Sequence, residues 1–91
     1  MALWIRQARV RLEDGHVFER KWVGPYNDDR LNDLIDFIRA VTYPPFNQTA
    51  IFYEGKHGGR YLIALAQGGI LEPSIQEIHA ALLRLQGMKG I

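Results

Sequence analysis

Apolar and polar residues alternate along Ala2 to Leu12 and again along His16 to Val23, and the two runs are separated by Glu13-Asp14-Gly15. An Asp-Gly pair between alternating runs predicts a β-hairpin. A two-residue loop would set Arg9 opposite Arg20. A three-residue loop with Gly15 in the left-handed conformation sets Arg9 opposite Glu19 and Val10 opposite Phe18, and it removes the like-charge pair. This register gathers Trp4, Ala8, Val10, Leu12, Phe18 and Trp22 on one face, with Arg6 opposite Trp22 and Arg20 opposite Ala8. The other face carries Leu3, Ile5 and Val23 at one end and Gln7, Arg9, Arg11 and Lys21 toward the turn.

The period then changes to that of a helix. Leu31, Leu34, Ile35, Ile38 and Val41 form an apolar stripe. Asn27 is placed as N-cap, Asp28 and Asp29 sit at the positive end of the helix dipole, and Tyr26 is placed to staple onto Leu31. Tyr43-Pro44-Pro45 stops the helix. A second hairpin is predicted from Ile51-Phe52-Tyr53, a glycine-rich tip over 54–59, and Arg60 to Ala66. Tyr61 to Ala66 is apolar on both sides, the pattern of a strand covered above and below. After Gln67-Gly68-Gly69, the capping box Ser74-Ile75-Gln76-Glu77 opens a second helix. Its stripe is Ile75, Ile78, Leu82 and Leu85, Gly87 closes it, and residues 88–91 are expected to fray.

These elements predict an α+β fold in the order ββαββα. A helix of this length returns the chain along the sheet, so strand 3 runs parallel to strand 2 and strand 4 parallel to strand 1. Glu19, Arg20 and Lys21 make strand 2 too polar for the middle, and strand 4 is too apolar for an edge. A four-stranded mixed sheet in the order 2-1-4-3 satisfies both, with the first helix on the Trp4 and Trp22 face and the sheet covered on both sides. At the level of architecture alone this arrangement resembles a β-grasp sheet with an additional helix.

Length and composition bound the rest. Ninety-one residues, 47% of them hydrophobic, predict a single folded domain over 1–91. A net charge of +1 leaves no global field toward nucleic acid or an anionic membrane, so such binding would have to be local. Cysteine is absent, which excludes disulfides, thiolate catalysis and cysteine-based metal sites. Met1-Ala2-Leu3-Trp4-Ile5-Arg6 is too short in apolar residues for a signal segment or a span. A cytoplasmic protein is expected, in which Asn47-Gln48-Thr49 is a chance sequon.

Candidate chemistry is thin. Ser74 is the sole serine and is accounted for as a helix cap. His16, His57 and His79 fall at a turn, a loop tip and a helix without ligand spacing, and Asp28, Asp29, Asp33 and Asp36 fit a solvated acidic first turn. Gly55, Gly58 and Gly59 lead back into a strand, whereas a phosphate-binding loop leads into a helix. No catalytic residue, metal or cofactor is assigned. Tyr43 and Phe46 flank a rigid proline pair, and Phe52 lies in a strand placed at the sheet edge; these three are the candidate partner-binding residues. The reading is a small non-catalytic protein-interaction module of inhibitor, adaptor or immunity type, forming a homodimer through the Ile51 to Tyr53 edge. The alternative is a nucleic-acid-binding protein using Arg9, Arg11 and Lys21 with Lys56 and Arg60. Arg6 and Arg20, on the aromatic side of the hairpin, are expected to stack on Trp22 and snorkel at the rim.

Overall fold

The computed structural model describes residues 1–41 and 44–91. Its elements are β1 (Ala2–Val10), β2 (Val17–Tyr26), a short 3-10 turn (Asp28–Arg30), α1 (Leu31–Ala40), β3 (Gln48–Glu54), β4 (Arg60–Gln67), β5 (Ile70–Glu72) and α2 (Ile75–Gly87). In the first hairpin Arg6 pairs with Trp22, Ala8 with Arg20 and Arg9 with Glu19, as the alternation requires. The loop is longer than expected. Arg11 N–H donates to the His16 carbonyl at 2.8 Å, and Gly15 N–H, at φ +74°, donates to the Arg11 carbonyl at 2.7 Å. A bulge next to Val10 absorbs the extra residue, so Val10 pairs with Val17 and not with Phe18.

The sheet departs from the expected one. It has five antiparallel strands in the order β2-β1-β3-β4-β5, not four in the order 2-1-4-3. β3 is interior, paired on one side with β1 from Ala2↔Glu54 to Ala8↔Gln48 and on the other with β4. Reading only Ile51 to Tyr53 as strand made β3 look like a short edge, but the strand begins at Gln48, and its polar start is satisfied inside the fold. The buried Thr49 hydroxyl donates to the Ile38 carbonyl at 3.3 Å, and Gln48 bonds both Arg6 and Gln67. The fifth strand follows from Gly68 and Gly69, at φ +59° and +79°, which form a two-residue hairpin turn with Gln67 paired to Ile70.

Both helices lie on one face. Leu3 and Ile5 of β1, Ile51 and Tyr53 of β3, and Ile63 of β4 meet Leu31, Leu34, Ile35 and Ile38 of α1 and Ile78 and Leu82 of α2 in a single buried cluster. The first helix is therefore on the Leu3 and Ile5 face, opposite to the face of Trp4 and Trp22 where it was expected, and both helices cover the same side of the sheet. Branched aliphatic side chains interdigitate with a helix stripe more closely than the Trp and Arg positions do. Ser74 Oγ caps α2 as the sequence indicates, accepting from Glu77 N–H at 3.3 Å, whereas Asn27 Oδ1, accepting from Asp29 N–H at 3.4 Å, caps the 3-10 turn that leads into α1 and not α1 itself, whose N-cap position is Arg30. The last residue does not stand clear of the fold as expected, since Ile91 packs against the core cluster and over Gly55. Among the described residues no helix is long and apolar enough to cross a membrane.

Candidate interaction face

The face without helices is built by the alternate positions of β1. Trp4 and Arg6 point away from Leu3 and Ile5, and their cross-strand neighbours share that side: Phe52 and Ala50 on β3, Trp22 on β2, and beyond Phe52, Leu62 on β4. Gly24 makes the close fit at one end. Its φ is +146°, and a side chain there would come within 3.0 Å of the Trp4 ring, so the indole sits close against the β2 backbone.

Arginine then fills the spaces between the rings. The Arg60 guanidinium lies 4.1 Å from the Trp4 ring centre and 4.5 Å from that of Trp22, held from the far side by Glu54, whose carboxylate is 3.4 Å from Arg60 Nε. Arg6 covers Phe52 at 5.0 Å and donates from Nη2 to Gln48 Oε1 at 2.9 Å, while Phe52 meets Trp22 edge to face at 5.0 Å. Each cation–ring contact is worth about 0.5–2 kcal/mol, the upper end where water is excluded. Burial, and then the neighbouring Arg20, lower the pKa of Arg6, but a guanidinium starts so high that it keeps its charge. Two buried donors on this face, Trp4 Nε1 and Arg6 Nε, have no partner among the described residues.

The sequence candidates are distributed unevenly over this geometry. Phe52 is at the centre of the face. Phe46 is half-buried in the segment before β3, next to Asn47, whose backbone N–H donates to the Ala8 carbonyl at 3.0 Å and whose side chain bonds Val10 N–H and C=O at 2.9 and 3.0 Å. Tyr43 lies outside the described residues. Because β3 is interior, the dimer through the Ile51 to Tyr53 edge has no free edge to use.

The basic candidates do not converge. Arg9 and Lys21 follow Gln7 on the helix side of the sheet, where Arg9 lies 3.6 Å from Glu19 and 4.4 Å from the centre of the Phe18 ring. Arg11 is paired with Asp14 at 2.6 Å. Lys56 stands exposed on the β3–β4 turn, and Arg60 alone of the five joins the aromatic face. Sequence reasoning placed Trp4, Trp22 and Arg6 together but missed Phe52 and Arg60 beside them. Their proximity depends on β3 lying next to β1.

The remaining reactive side chains are scattered. His79 bonds Asn32 Oδ1 at 2.7 Å, His16 packs edge-on to Phe18 at 4.7 Å, and His57 is exposed on a turn. Comparison of the chain with protein-family models, curated proteins and solved structures finds no match.

Proposed function

We propose that this protein is a small non-catalytic protein-interaction module, of inhibitor, adaptor or immunity type, that receives its partner on the open sheet face around Trp22, Phe52 and Arg60. The observation that carries this reading is a cluster of two tryptophans, a phenylalanine and two arginines on a face that neither helix covers. Trp and Arg are the side chains that contribute most at protein interfaces. Glu54 and the flanking rings already hold Arg60 in place, so little side-chain entropy remains to be lost on binding. The non-catalytic part is supported by Ser74, whose hydroxyl is engaged as a cap, and by histidines in three separate surroundings.

A second reading is favoured by one feature, the stacking of guanidinium groups on open-face rings, a position that an unpaired base can take in single-stranded nucleic acid. Both tryptophans of the chain lie on this face, so their emission reports its occupancy directly. Affinity capture from the source cell, in parallel with wild type and Trp22→Ala, is the test. A protein retained by wild type, lost by a folded Trp22→Ala, and shifting tryptophan emission when added back supports the module. Quenching by oligonucleotides that weakens steeply with salt would transfer the face to the second reading. Emission indifferent to both would remove the face from function.

A further inference from the structure

The two outer edges of the sheet differ. β2 ends the sheet on one side with Glu19, Arg20 and Lys21 exposed along it, the charged edge that keeps strands from adding. On the other side β5 pairs with Leu65 to Gln67 of β4, and among the described residues no strand lies beside Arg60 to Ala64. The middle of that free stretch is Tyr61, Leu62 and Ile63, with Tyr61 38% and Leu62 53% exposed and with no charge or proline among them. A groove of about 660 Å³ lies at this edge, between β4 and one flank of α2, with Pro73 in its lining.

The flank of α2 that lines the groove reads Glu77, Ala80, Ala81, Arg84, one side of a helix at i, i+3, i+4 and i+7. This stripe is complementary to itself. A two-fold axis between Ala80 and Ala81 brings Glu77 of one copy to the partner's Arg84, and the reverse, with the small alanines where two helices cross closely. Among the described residues neither Glu77 nor Arg84 is in an ion pair. The same axis, normal to the sheet, sets two β4 edges antiparallel and keeps both α2 helices on one side of a continued sheet. Centred on Leu62, this pairing places Arg60 opposite the partner's Ala64, so the strand brings no like charges together.

From these observations we infer that the Arg60 to Ala64 edge and the Glu77 to Arg84 flank of α2 form a two-fold interface with a second copy of this chain. The interface uses the β4 backbone and the α2 flank on the helix side, while the side chains of Arg60 and Leu62 stay on the open face, so the two open faces adjoin across the seam and the reversals at Glu77 and Arg84 test the dimer without altering Trp22, Phe52 or Arg60.

Sedimentation across the micromolar range tests it. Wild type sediments at about twice the 10.4 kDa chain mass, and hydrogen exchange at residues 60–64 slows as concentration rises. Glu77→Arg and Arg84→Glu each set like charges across the axis twice and raise the dimer dissociation constant about tenfold or more. The double variant restores wild-type association, which a simple loss of folding cannot do. Circular dichroism confirms that each variant is folded. A wild-type monomer throughout the range overturns the inference. So does a dimer indifferent to the single reversals, or one the double variant fails to restore.

Discussion

On the helix-bearing face of the sheet, Leu3, Ile5, Ile51 and Ile63 meet the apolar stripes of α1 and α2 and are almost wholly buried; on the opposite face Trp4, Trp22 and Phe52 meet Arg6 and Arg60 and stay half-exposed. Ile51 and Phe52 are consecutive, and each belongs to a different regime. Aliphatic side chains gain from leaving water and from close packing, so they require a complementary surface of the same kind. Aromatic rings also gain from a cation lying on them, and a guanidinium covers a ring while its edges remain hydrated. A sheet face built this way persists without a helix over it and keeps the side chains most useful in binding at the surface.

The contrast is sharpest at those consecutive residues. Ile51→Ala removes a fully buried side chain and is expected to destabilise the fold by about 2–5 kcal/mol. Phe52→Ala, one position along, is expected to cost about 1–2 kcal/mol because the ring is already partly in water. Denaturant unfolding of the pair decides the matter, and equal losses would mean that the open face is a second core. Between those two in size is Gly24→Ala. A side chain at φ +146° collides with the Trp4 ring, so a loss of about 1–3 kcal/mol is expected together with a red shift of tryptophan emission. Unchanged emission would separate Trp4 from the β2 backbone.

Arg60→Met keeps most of the apolar stem and removes the cation. A loss of about 0.5–1 kcal/mol with altered tryptophan emission is expected, whereas an unchanged spectrum would show that packing and not charge holds the rings. The smallest effect belongs to neither face. Its hydrogen bonds from Arg11, then the backbone N–H of His16, hold the Asp14 carboxyl below the ordinary aspartate range. A carboxyl depressed in the folded state stabilises above the unfolded-state pKa, and that contribution is lost as pH falls through the lowered value. An NMR titration of Asp14 should show the depressed midpoint, and Arg11→Ala should return it toward the ordinary value.

Local chemistry made much of this fold readable. The register Arg9↔Glu19, the Ser74 cap and the stripe from Leu31 to Ile38 follow from period and capping alone. The fifth strand was also written in the sequence, as Gly68-Gly69 between Gln67 and the apolar pair Ile70-Leu71, a two-residue hairpin signal read instead as a passage to the helix. The candidate face was legible only in part. Trp4, Arg6 and Trp22 are joined by one hairpin, whereas Phe52 and Arg60 come from a hairpin some 30 residues further on in the chain.

The sequence by itself determined the two helices, the two hairpins, their order and the strand directions, because these depend on the two- and 3.6-residue periods and on turn and cap chemistry, whereas bulges beside Val10 and between Ile51 and Phe52 shift the alternation and bring the consecutive Ile63 and Ala64 into one core cluster. Tertiary structure decided which strand of the second hairpin lies beside β1 and which face the helices cover. Backbone N–H and C=O groups pair alike whatever side chains they carry, so neither strand identity nor strand direction selects β3 over β4 as the neighbour of β1. The choice falls to packing across the whole chain, where Ile51 and Tyr53 join Leu3 and Ile5 under α1 and leave Phe52 beside Trp4 in the open.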